Sequence, residues 1–168
     1  DVLRSALRYA AANGYLHRSP MDGVSKFPEH NSRDRICTDN EYITLLNSAY
    51  PTLRLAIVFG FHTGMRLSEI TGLKWDDIDI KSRFVRLHVG KTKTGEGRKV
   101  PLSQAVVDEL LHVPRRIDGY LFHVDKDTLS PMFTRLCRKL GIKNLRFHDL
   151  RHTAATNLRR AGADIYTI

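Results

Sequence analysis

The chain is short of cysteine, of acidic residues and of long apolar runs, and each shortage closes off a class of protein. Only Cys37 and Cys137 occur in 168 residues, one in a polar connector and one in a helical pattern, and neither has a Cys or His at metal-ligand spacing. They read as cytosolic thiols, not as a disulfide scaffold or a metal site. No apolar run approaches the roughly 20 residues that span a bilayer, and Asp1-Val2-Leu3-Arg4 opens into an amphipathic pattern without the charged and apolar regions of a signal peptide. The reading is a cytoplasmic protein with no membrane segment, whose chain starts mid-protein. Internal repeats and low-complexity segments are also missing. Acidic residues number 18 against 27 lysines and arginines, a net charge of +9. That excess favours a polyanionic partner through phosphate neutralisation and counterion release.

What is present is helical periodicity interrupted once by strands. Val2, Leu3, Ala6, Leu7, Ala10 and Ala11 recur at helical spacing before Asn13-Gly14. Ser19-Pro20, Gly23, Phe27-Pro28 and the polar stretch from Glu29 to Arg35 then break any pattern and read as an interdomain linker. Thr38-Asp39-Asn40-Glu41 has the form of a capping box opening a helix to about Ala49, and Pro51 opens another that ends at Gly64. A short helix from Ser68 to Leu73 follows. Ile78 to Ile80, Phe84 to Val89 and Arg98 to Leu102 are strand-like and predict a small antiparallel sheet. Further helices are predicted over Ser103 to Leu111, Ser130-Pro131 to Leu140, and His148 to Ala161. The fold class is α+β, mainly helical, and the length suits one domain of roughly 100 to 200 residues with a piece of a second.

Three places carry chemistry. His148 and Arg151 stand three apart at a helix start, so they share a face and can address one phosphate, helped by free backbone donors and the helix dipole. A solvated helix face is the plainer reading of the same pair. Arg66 emerges at a turn between two apolar helical segments, and Glu69 is placed to hold it or the neighbouring backbone by a charge-assisted bond, or to form an ordinary exposed ion pair. Gly90 to Arg98 is a Gly-rich hairpin presenting Lys91 and Lys93, either of which can be a solvated tip or a donor of a proton to a leaving oxygen.

Thr63-Gly64-Met65-Arg66-Leu67-Ser68-Glu69-Ile70, then Gly-Leu-Lys-Trp-Asp-Asp-Ile-Asp at 72 to 79, Lys-Thr-Lys-Thr-Gly ahead of Val100-Pro101-Leu102, and His-Asp-Leu-Arg-His-Thr-Ala-Ala-Thr at 148 to 156 stand in an order that resembles the tyrosine site-specific recombinases of the phage integrase family. The resemblance covers roughly residues 35 to 168. It implies the catalytic-domain fold of that family for residues 37–168, a linker over 19–36, and in residues 1–18 the last helix of a preceding core-binding DNA domain. Matched residue by residue, Arg66 and Arg151 correspond to the two catalytic arginines, His148 to the histidine, Lys93 to the hairpin lysine and Glu69 to a supporting acid. Lys91 is the competitor of Lys93. His152 and Thr153 also belong to the motif and read as helix packing and capping.

The resemblance further implies an enzyme that breaks and rejoins DNA through a 3′ phosphotyrosyl intermediate, as in integration, excision or chromosome resolution by phages and mobile elements. The family's nucleophilic tyrosine falls about thirty residues beyond the second arginine, so the chain, ending at Ile168, is expected to stop short of it; Tyr166 lies too close to Arg151 to match. Double-stranded DNA is the implied partner, with assembly of the full-length protein into a tetramer on DNA. No cofactor or metal is called for, because two guanidiniums supply the charge that divalent ions provide elsewhere. A noncatalytic DNA-binding module and a type IB topoisomerase are the competing readings.

Overall fold

The computed structural model describes residues 2–25, 34–88 and 97–163, and the chain divides into two compact units, 1–33 and 34–168. In the first, α1 (Val2–Ala12) forms as its periodicity predicts, but it buries none of its residues; Val2, Leu3 and Tyr9 lie open to solvent. Arg4 Nη2 donates to Val24 O at 2.6 Å, tying the helix to the turn that follows it.

The second unit is built around one helix. α2 (Asp39–Ser48) leads to α3 (Pro51–Thr63), in which Leu53 and every residue from Leu55 to Phe61 are buried. A helix apolar on all sides must be surrounded, and α3 is enclosed by α2, α4 (Leu67–Thr71), α5 (Gln104–Leu111), α6 (Lys126–Lys139) and α7 (Phe147–Arg160). Its tightest neighbour is α7, and Gly60 explains how: a Cβ there would stand 3.2 Å from the Phe147 ring and 3.3 Å from Leu150 Cδ1.

Between α4 and α5 lie a 3-10 turn, Trp75–Asp77, and the antiparallel sheet β1 (Ile78–Asp79), β2 (Phe84–Leu87) and β3 (Arg98–Pro101), in the order β1-β2-β3. The register pairs Val85 with Val100 and Leu87 with Arg98. Since paired residues share a face and alternate along a strand, Val85, Leu87, Val100 and Arg98 form the core-facing side. Phe84, Arg86 and Lys99 form the other, where both cations lie about 5 Å from the Phe84 ring centroid, Arg86 at 5.1 Å and Lys99 at 4.9 Å.

The α+β class and most element positions follow the sequence. Several boundaries differ by one or two residues, α4 running Leu67–Thr71 where Ser68 to Leu73 was predicted, and one departs by a full turn. α6 begins at Lys126 and carries Pro131 within it, where the sequence predicted a start at Ser130-Pro131. The Asp125 side chain accepts from Thr128 N at 2.8 Å and caps the helix a turn earlier. Pro131 stands in the second turn, where its missing N–H leaves one backbone carbonyl of the helix without its donor.

Candidate active site

Among the described residues four elements start with the same device, of which the sequence announced the Thr38–Glu41 box outright and offered the Glu69 contact to the backbone as one alternative. The residue at the third position supplies a carboxylate that accepts the backbone N–H of the cap residue: Glu41 from Thr38 at 2.9 Å, Glu69 from Arg66 at 2.9 Å, Asp77 from Lys74 at 3.0 Å and Asp149 from Arg146 at 2.7 Å. In three of the four the cap residue is a cation, which has no acceptor to offer a backbone donor. The acid therefore fixes the turn alone, and the cationic side chain is left to serve elsewhere.

Arg66 is one of these. Its Nη1 donates to Glu69 Oε1 at 3.0 Å while its amide holds Oε2. Glu69 is 1% exposed, and a third donor reaches it: Arg98 Nη2 lies 2.9 Å from Oε2. Burial opposes the ionisation of Glu69, but the Arg66 amide, then Arg98, then the Arg66 guanidinium reverse that and hold its carboxyl below the usual carboxylate range.

Arg151 arrives from α7. It donates from Nη1 to the carbonyl of Gly64, the residue that ends α3 in a left-handed conformation with φ +63°. The turn that releases Arg66 from the end of α3 therefore also receives Arg151. Burial first, then the neighbouring Arg66 guanidinium, lowers the Arg151 pKa, with Arg98 adding to the effect and Glu69 opposing it. Three guanidiniums face one carboxylate, so the cluster carries net positive charge.

His148, one turn before Arg151, is exposed. Its pKa is lowered by partial burial, then by His152, whose ring stands edge-on with centroids 5.1 Å apart, and by Arg151 and Arg66, with Asp149 opposing. His148 and Arg146 line a cleft of about 380 Å³ together with Met65, Leu67, Ser130 and Thr134. Thr153 is buried and braces the helix, accepting from Cys37 N at 2.8 Å and donating to Asp149 O at 2.7 Å.

The structure thus brings Arg66, Glu69, Arg151 and His148 together from α4 and α7. Lys93 and its competitor Lys91, like Tyr166, lie outside the described residues. Of the described residues that flank 89–96, His88 Nε2 meets Asp77 Oδ1 at 3.0 Å and Arg98 meets Glu69. Arg98 is the residue that sequence reasoning passed over. Its signal was strand phase, since a cation in step with Val100 sits on the buried side of β3 and must find an acid there. Among the described residues no group of three or more His, Cys, Asp or Glu is arranged to hold a metal, and no helix is long and apolar enough to cross a membrane.

A helical domain wrapped around one buried helix, with a three-stranded sheet at its edge, is the fold of DNA integrases. The Tn1549 transposon integrase, solved in complex with a circular intermediate DNA, superposes with a TM-score of 0.77 at 22% identity over 98% of this chain and 66% of its own. By sequence, the phage integrase family model matches residues 29–168, so the chain belongs to that family, and its fold is that of a tyrosine recombinase catalytic domain. Relatives include the shufflon-specific DNA recombinase of Escherichia coli, 31% identical over 89% of this chain, and tyrosine recombinase XerA of Pyrococcus horikoshii, 32% identical over all of it. The chain spans 39% of the first and 61% of the second.

Proposed function

We propose that the chain is the phosphate-handling part of a site-specific DNA recombinase, in which Arg66, Arg151, His148 and Lys93 act on one scissile phosphodiester and Glu69 supports Arg66. The observation that carries this reading is the meeting of Arg66 and Arg151 at the end of α3, where each is held by a protein oxygen and both remain part of a net positive cluster. Two like charges repel, and an anion between them relieves the repulsion.

In the proposed reaction a tyrosine beyond Ile168 attacks the phosphorus. A bond forms between its oxygen and phosphorus, the bond to the 5′ oxygen breaks, and the product is a 3′ phosphotyrosyl linkage. His148, whose pKa is lowered first by partial burial and then by the neighbouring His152 and Arg151, takes the tyrosine proton. Lys93 gives a proton to the departing 5′ oxygen. Arg66 and Arg151 hold the nonbridging oxygens as charge develops on them. A 5′ hydroxyl from a second strand reverses the step and completes exchange.

In the same reading residues 1–18 are the last helix of a core-binding domain, 19–36 the linker and 37–168 the catalytic domain. The full-length protein works in the cytoplasm on double-stranded DNA as a tetramer.

A suicide duplex that traps cleaved product tests the reading with the full-length protein. A covalent protein–DNA adduct is expected, and a sulfur at the 5′ bridging position should restore cleavage to Lys93→Ala, because sulfur leaves without protonation. An intact duplex with no adduct would leave a noncatalytic DNA-binding module, and rescue of Lys91→Ala alone would move the acid to Lys91.

A further inference from the structure

Glu69 has two oxygens and three donors, and the way they are shared bears on what Arg66 can do. A planar guanidinium next to a carboxylate tends to engage both oxygens side by side, a bidentate pairing that satisfies its charge and turns its donors toward the acid. Arg66 does not do this. Its guanidinium takes Oε1 alone, at 3.0 Å, because Oε2 already receives the Arg66 amide at 2.9 Å and Arg98 Nη2 at 2.9 Å. The Arg66 side chain keeps 31% of its surface exposed, while Glu69 is enclosed.

We propose that Arg98 is a positioning residue for Arg66: by occupying one oxygen of Glu69 it lets that carboxylate orient Arg66 without neutralising it. The proposal rests on the recombinase reading above. β3 is built to deliver this contact. Pairing of Arg98 with Leu87 sets its side chain on the core-facing side of the sheet, in step with the buried Val100, and Glu69 of α4 lies within its reach. Arg98 also contributes more than the Arg66 side chain to keeping Glu69 ionised, which a buried carboxylate with a single cationic partner would find harder. Without Arg98, the Arg66 fork is free to close on both oxygens, and its donors leave the position where a phosphate would meet them.

Single-turnover cleavage of the suicide duplex by the full-length protein tests this through a mutant cycle. Arg98→Gln is expected to cleave up to about 100-fold more slowly, the scale of a misplaced catalytic group, with duplex affinity close to wild type. Arg98→Lys should recover part of the loss. In a Glu69→Gln background, Arg98→Gln should cost little more, because the carboxylate it shares is already gone. Cleavage by Arg98→Gln at the wild-type rate overturns the proposal. So does an undiminished loss in the Glu69→Gln background, which makes Arg98 a direct DNA contact, and so does a parallel fall in rate, affinity and urea midpoint, which makes its role structural. If the wild-type protein itself forms no adduct, the recombinase reading falls and takes the proposal with it.

Discussion

Two arginine–carboxylate contacts of the same length sit in different parts of this molecule. Arg98 meets Glu69 at 2.9 Å beneath the sheet, and Arg116 meets Asp118 at 2.9 Å on the surface between α5 and α6. Glu69 is 1% exposed and serves three donors on two elements, whereas Asp118 is 44% exposed and its arginine partner lies two residues away in the same turn. The difference shows that distance is a poor guide to consequence. A solvated pair exchanges protein partners for water at little cost, while an enclosed carboxylate depends on every donor that reaches it.

Loss of the buried carboxylate of Glu69 is the heavier of the two. Replacing it with alanine should destabilise the domain by about 2 to 3 kcal/mol in urea titrations, the scale of lost hydrogen bonds to a charged group, since the stranded arginines are partly exposed and can turn to water. The pH dependence has a definite sign. The Glu69 pKa is lower folded than unfolded, so its contribution is complete above the unfolded value and disappears as pH falls through the folded one. Glu69→Gln should therefore flatten the acid limb of stability against pH. A variant with an unchanged acid limb would mean that the carboxylate is not held ionised in the folded chain.

Gly64, whose carbonyl receives Arg151, carries a smaller effect. Its φ of +63° costs a side chain about 1 to 2 kcal/mol, and a Cβ would stand 3.4 Å from Ala154 Cβ. Gly64→Ala should lower the urea midpoint accordingly and disturb the carbonyl on which Arg151 rests. Asp118→Ala should leave the midpoint where it is; a clear fall would show that the surface pair matters as the buried one does.

Much of this was legible before any coordinates. Thr38 and Glu41, Pro51 and Gly64 announce their helix ends because capping is local, and the periodicity of α1 needs only neighbours along the chain. Arg66, Glu69, His148 and Arg151 were recoverable as candidates because each carries a motif around it. Most of what escaped is non-local, the local aspartate cap of α6 being the exception. The α6 start was misplaced because a proline was given more weight than an aspartate cap. Arg98 went unnoticed because its partner is 29 residues away and depends on which face of a four-residue strand turns inward. The carbonyl that receives Arg151 lies 87 residues upstream, and no local pattern points to it.

The claim that Arg66 and Arg151 address one phosphorus centre is tested most directly by changing the charge at that centre. In a suicide duplex whose scissile phosphate carries a methyl group in place of one nonbridging oxygen, the demand for guanidinium charge falls. Cleavage by Arg66→Ala and by Arg151→Ala should then approach the wild-type rate on the same substrate. A deficit as large as that on the ordinary phosphodiester, in either variant, would place that arginine away from the reacting phosphate.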